Sequence, residues 1–85
     1  MADIIIYTKA TCPFCTKAKA LLTHKGAKFT EIDISSNDTL RSQMMEKANG
    51  RHTVPQVFIN DTHIGGCDDL LAADRSGDLD KKLAA

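Results

Sequence analysis

Near the N-terminus, Ile4-Ile5-Ile6-Tyr7 sets four large side chains in a row, three of them β-branched. Successive side chains of a strand point to opposite faces, so a run that is apolar at every position needs cover on both sides. It reads as a buried central strand, and one sheet with helices on both faces is the economical way to bury it. The chain is therefore expected to be α/β.

The remaining elements follow from periodicity and punctuation. Thr8 to Thr11 is a polar loop. From Pro13 to about His24 the pattern is helical, with Phe14, Cys15, Ala18, Leu21 and Leu22 on one face and Lys17 and Lys19 off it. Gly26 supplies a stop, and Lys25 lies near the negative end of the helix dipole. Lys28 to Ile34 alternates as a second strand. Ser36-Asn37-Asp38 is a capping cluster before a second helix from Leu40 to about Ala48, whose Met44 and Met45 are core candidates; Asn49-Gly50 ends it. Thr53-Val54-Pro55 leads into a third strand, Gln56-Val57-Phe58-Ile59, and Asn60-Asp61 turns the chain into a brief fourth at His63-Ile64. Gly65-Gly66 breaks that strand, and Cys67-Asp68-Asp69 opens a third helix through Leu70, Leu71 and Ala73. A last short helix is expected over Leu79 to Leu83. The order β-α-β-α-β-β-α carries no internal repeat and no linker, so residues 1–85 are read as one domain. The βαβ opening implies a parallel pair with a right-handed crossover, and the late hairpin adds antiparallel strands.

Charge and termini narrow the partners. Eleven basic residues balance eleven acidic ones, with no basic block, so there is no net field to attract a nucleic acid or an anionic membrane, and only a local patch could do so. The start Met1-Ala2-Asp3 lacks the basic segment and the roughly 7–15-residue apolar core of a secretory signal. No run approaches the roughly 20 residues that cross a bilayer. A cytoplasmic protein is expected, and its three cysteines are then redox-active, metal-binding or plain buried thiols rather than a disulfide framework.

Cys12-Pro13-Phe14-Cys15 carries the chemistry. Proline suits the first helical position, where its missing N–H would have had no partner, and it pushes the residue before it into the extended region. Cys12 thereby becomes the N-cap, with its sulfur facing the free N–H groups of Phe14 and Cys15 and the positive end of the dipole. Both favour thiolate over thiol. Cys15 lies one turn deeper on the same face, close enough for a disulfide. An exposed thiolate attacks and a buried partner resolves. Lys9 adds positive charge nearby or holds a substrate carboxylate. A zinc site would need a second such pair; Cys67, His24, His52 and His63 do not show zinc-ligand spacing.

A second constellation suits a small peptide. Pro55 blocks a ladder hydrogen bond just before a strand, with or without a cis bond, which leaves the Val54 main chain free to accept an extended peptide. Gly65-Gly66-Cys67-Asp68-Asp69 joins glycines to a helix N-terminus, where N–H groups receive a carboxylate and Asp68 or Asp69 an ammonium. The plainer readings are a strand start and a capped helix. Cys67 reads as a small buried hydrophobe. The three histidines, beside turns and a helix end, are read as structural.

Together, Tyr7-Thr8-Lys9 before Cys12-Pro13-Phe14-Cys15, then Thr53-Val54-Pro55-Gln56, then Gly65-Gly66-Cys67-Asp68-Asp69, resemble bacterial dithiol glutaredoxins of the glutaredoxin 3 type over essentially the whole chain. The resemblance implies a thioredoxin fold, a four-stranded mixed sheet flanked by helices, with glutathione as reducing co-substrate and no tightly bound cofactor. It implies Cys12 as nucleophile and Cys15 as resolving thiol, acting on disulfide-bonded or glutathionylated proteins, in a monomer. Lys9 would pair with the glycine carboxylate of glutathione. The Val54 main chain would bond the cysteinyl part, with Thr53 beside it and Pro55 cis. Gly66, Cys67, Asp68 and Asp69 would hold the γ-glutamyl end. Phe14 stands where family members commonly have tyrosine; its ring lines the groove without the phenolic contact. Arg41 or Ser42 on the second helix is a further candidate for the glycine carboxylate. The alternative is a module binding an iron–sulfur cluster through Cys12 and glutathione, but cluster carriers in the family usually lack a proline between the cysteines. A thioredoxin-like reductant served by a flavoenzyme is disfavoured by the glutathione-type pocket.

Overall fold

In the computed structural model, which describes residues 2–84, the chain forms four strands and four helices. They are β1 (Ile4–Thr8), α1 (Pro13–His24), β2 (Thr30–Asp33), α2 (Asp38–Lys47), β3 (Gln56–Ile59), β4 (Thr62–Gly65), α3 (Cys67–Ser76) and α4 (Asp78–Ala84). The sheet order is β2-β1-β3-β4. β1 runs parallel to β2, as the crossover through α1 requires, and antiparallel to β3, which pairs antiparallel with β4. Of the described residues, no helix is long and apolar enough to cross a membrane.

The run at Ile4 to Tyr7 does what its composition demands. Ile4 and Ile6 point to one face, where they join Ala18, Leu22, Val57, Ile59, Cys67, Leu70 and Leu79 from α1, β3, α3 and α4. Ile5 and Tyr7 point to the other, where Tyr7 packs with Ile34, Met44, Ala48 and Phe58 under α2. The Tyr7 and Phe58 rings meet edge to face at 5.7 Å. The two-residue period of β1 thus splits one apolar run between two cores.

Several boundaries move. β2 is shorter than the alternation suggested, Thr30 to Asp33, because Lys28 and Phe29 precede the pairing with β1 and Ile34 follows it. Gly65 belongs to β4 rather than ending it, opposite Val57. Asn60 and Asp61 both take positive φ, 50° and 66°, the geometry of a two-residue hairpin turn. Lys25 does more than meet a dipole: its Nζ sits 2.7 Å from Asp74 and 2.9 Å from Asp80, tying the end of α1 to α3 and α4. Phe14, expected on the buried face of α1, is 60% exposed. It occupies the second helical position, and its side chain lines a surface groove instead of packing under the sheet.

Candidate active site

The loop between β1 and α1 is pinned before chemistry begins. Thr8 O accepts from Ile34 N–H at 2.9 Å, and Ala10 N–H donates to Ser35 Oγ at 2.9 Å, so the loops after both parallel strands hold each other. Cys12 then takes the extended conformation of an N-cap, with φ −124° and ψ 104°, and Pro13 opens the helix. The Cys15 N–H donates to Cys12 Sγ at 3.2 Å. Of the two N–H groups expected to face that sulfur, this is the one bonded to it. Thr16 secures the same residue from below, its N–H and hydroxyl both donating to Cys12 O, at 3.1 and 3.3 Å.

The two thiols differ sharply in setting. Cys12 is half-buried, while Cys15 is 1% exposed. Burial, helped by a hydrogen bond and charge from Cys12, pushes the Cys15 thiol up to about 12, against the opposing Lys9 main-chain N–H and the Lys19 charge. Cys15 therefore keeps its proton at neutral pH. Cys67 is buried too, and burial raises its thiol, with Lys17 opposing and Asp68 and Cys12 adding to the rise.

Across from Cys12, the Val54–Pro55 peptide bond is cis, and Val54 O lies 3.8 Å from Cys12 Sγ, within reach of a weak S–H···O contact. A groove runs from here to the start of α3, lined by Phe14, Arg51, Thr53, Val54, Pro55, Gly66, Cys67, Asp68 and Asp69. Eight of these nine are the positions singled out from sequence, brought together from α1, the loop before β3 and the β4–α3 turn. Lys9 is the exception: it is exposed on the loop before α1 and its side chain is not part of this lining. Arg41 and Ser42 on α2 are likewise outside it.

Arg51 is the residue that sequence reading missed. Its Nη1 donates to Asp69 Oδ2 at 2.8 Å, and the same oxygen accepts from Gly66 N–H at 3.0 Å. Asp69 thus caps its own helix and holds a cation, and both bonds keep its carboxyl below the ordinary aspartate range. Asp68, exposed, has no such partner among the described contacts. Gly65 permits this arrangement. It has φ +122°, and a Cβ there would clash with Asp69 Oδ2. Only the position of Arg51, two residues before Thr53, hinted at a role, because its partner comes from the distant first turn of α3.

A sheet of this topology, with a dithiol at the first helix and a cis-proline loop opposite, is the thioredoxin-like arrangement, and it defines a thiol–disulfide chemistry class. Comparison narrows the class. Residues 4–64 match the family model for glutaredoxin. Glutaredoxin 3 of Escherichia coli K12 is 55% identical over 83 residues, 98% of this chain and 99% of its own. A glutaredoxin of Pseudomonas aeruginosa is 49% identical over the full length of both chains. Among solved structures, the buckwheat glutaredoxin–glutathione complex superposes with a TM-score of 0.89 at 30% identity, covering 98% of this chain and 77% of that one. The solution structure of the Brucella melitensis glutaredoxin does so at 0.86 and 54%, covering 98% and 89%. The chain belongs to the glutaredoxin family, the glutathione-dependent thiol–disulfide oxidoreductases.

Proposed function

We propose that Cys12 is the nucleophile of this oxidoreductase, Cys15 its resolving thiol, and the adjoining groove the seat of glutathione. The observation that carries the assignment is the Cys15 N–H on Cys12 Sγ, joined to a Cys15 proton held up to about 12. One sulfur is offered a donor; the other is denied ionisation.

With a glutathionylated protein, the Cys12 thiolate attacks the glutathione sulfur. A Cys12–glutathione bond forms, the protein thiolate leaves and takes a proton from water. A second glutathione, as thiolate, attacks the glutathione sulfur of that bond, releasing oxidised glutathione and regenerating the Cys12 thiolate. With a protein disulfide, Cys12 forms a mixed disulfide and expels the first thiolate. Cys15 then attacks Cys12 Sγ, gives up its proton to the departing second thiolate, and leaves a Cys12–Cys15 disulfide that two glutathione molecules reduce. Two of the causes that hold the Cys15 proton are the bond to Cys12 and its charge. Both vanish once Cys12 is tied up as a disulfide, so Cys15 becomes easier to ionise when it is needed.

Within the groove, the Val54 main chain would pair with the cysteinyl part of glutathione, beside Thr53 and Pro55. The first N–H groups of α3, at Cys67 and Asp68, would receive the γ-glutamyl carboxylate, with Asp68 or Asp69 taking the ammonium. Lys9, exposed on the loop before α1, would meet the glycine carboxylate. Among the described residues Phe14 is the one large apolar side chain left exposed, which supports a protein substrate docking beside Cys12 and a chain that acts as a monomer. We assign the activity to residues 1–85 as one domain, with no tightly bound cofactor, and to the cytoplasm, a compartment that keeps thiols reduced.

The test is glutathione-coupled reduction of a glutathione mixed disulfide and of a protein disulfide. Cys12→Ser abolishes both. Cys15→Ser keeps the first and loses the second; loss of both would contradict the division of labour.

A further inference from the structure

Gln56, the first residue of β3, is fully buried. Each unpaired polar group of a buried carboxamide would cost about 1–3 kcal/mol, and here the groups are paired. Gln56 Nε2 donates to Thr53 O at 3.0 Å and to Thr53 Oγ1 at 3.3 Å. Gln56 Oε1 lies 2.7 Å from His63 Nε2. A carbonyl oxygen can only accept, so the Gln56 end that faces Thr53 O is the nitrogen, and the end that faces His63 is the oxygen. It follows that His63 Nε2 carries a hydrogen and donates it.

His63 is itself held. Its ring stacks on Phe58 with centroids 5.0 Å apart and planes 30° from parallel. Burial and the nearby Arg51 charge keep it below the ordinary histidine range, with Asp69 opposing. Near neutral pH the ring is uncharged, and the Gln56 bond selects the Nε2–H tautomer. The relay ends on the one segment that both lines the groove and faces the reactive sulfur: Thr53 and Val54, with Val54 O 3.8 Å from Cys12 Sγ. Packing alone does not explain it, because a leucine at 56 would fill a strand position in the core without needing any of these bonds.

We propose that Gln56 and His63 are positioning residues for thiol exchange: His63 orients the Gln56 carboxamide, and Gln56 holds the Thr53–Val54 main chain against an incoming glutathione disulfide. Neither side chain lines the groove, and both act through Thr53. The inference rests on the glutathione reading given above.

The test uses His63→Phe, which keeps a ring on Phe58 and removes the donor, Gln56→Leu, which removes the relay, and the double variant. Each is checked for folding by circular dichroism, and assayed with glutathione and its mixed disulfide with 2-mercaptoethanol. Each single variant raises KM for the mixed disulfide about fivefold, the worth of one neutral hydrogen bond, with kcat nearly unchanged. The double variant is no worse than Gln56→Leu, because His63 works only through Gln56. Imidazole nitrogen NMR of the wild type shows the Nε2–H tautomer, and His63→Phe shifts the amide signals of Thr53 and Val54. A folded, active His63→Phe with unchanged KM, additive effects in the double variant, or an Nδ1–H tautomer each overturns the proposal. A wild type without glutathione-dependent turnover strikes the assignment of Cys12 instead. The tautomer and amide shifts then still decide whether the relay exists.

Discussion

Brief alkylation of the reduced protein by iodoacetamide at pH 7 separates the two thiols of Cys12-Pro13-Phe14-Cys15. The thiolate reacts and the thiol does not, so labelling at each position follows its ionised fraction and its access. Raising the Cys15 thiol from an ordinary 9.0 to about 12 lowers its ionised fraction about a thousandfold at neutral pH. Its sulfur is also shut off from reagent, at 1% exposure. Cys12 is only half-buried, so reagent can reach it, and the Cys15 N–H points at its sulfur. Peptide mapping should place the label on Cys12, with less than about a hundredth as much on Cys15. Cys67, buried and raised in the same sense, is spared until the protein is unfolded. The same shift has a stability consequence. Between pH 9.0 and about 12 the folded chain keeps the Cys15 proton while the unfolded chain releases it. The folded state then binds more protons, so the contribution is complete below pH 9 and is lost as pH rises through the window. At pH 10.5 the loss is about 2 kcal/mol. By urea unfolding, the wild type should therefore lose about 2 kcal/mol more stability between pH 8 and pH 10.5 than Cys15→Ala does. Comparable labelling of Cys15 and Cys12, or equal alkaline losses in the two proteins, would refute this account of the dithiol.

Three further outcomes are expected. Gly65→Ala sets a Cβ against the Asp69 carboxylate at a φ that disfavours alanine, so it dislodges the cap of α3 and costs about 1–3 kcal/mol in urea unfolding, together with weaker glutathione binding by calorimetry. Leu70→Ala removes a fully buried side chain from beneath the sheet and lowers stability by about 2–5 kcal/mol, measured the same way. Asp69→Asn loses the charge-assisted bonds to Arg51 and Gly66. Because Arg51 and the Gly66 N–H depress the Asp69 carboxyl below 3.8, its contribution is present above that pH and is lost as pH falls further. The wild type should exceed Asp69→Asn in stability at pH 5 by about 1 kcal/mol or less, since the pair is solvent-exposed, and the gap should close under acid.

What the sequence determines by itself is what depends on neighbours in the chain. Proline after Cys12 dictates an N-cap and a helix start within four residues, and Ile4 to Tyr7 demands a strand covered on both faces; both are local steric and burial arguments that no distant contact can reverse. Asn60-Asp61 likewise contains its turn. The groove positions came from motif order along the chain, which lists residues but not their contacts. Only tertiary structure decides those. Arg51 meets Asp69 because β3 and β4 are neighbours in the sheet, which sets the loop before β3 beside the start of α3, although eighteen positions separate the two residues. Gln56 looked like an ordinary strand residue, and His63 like a histidine beside a turn. Pairing of β3 with β4 turned them into a relay, with Gln56 buried and His63 half-buried, that reaches Thr53. Phe14 left the core for the surface because it faces the groove shared with Val54, Pro55 and the start of α3, a fact about which elements meet it rather than about its periodicity.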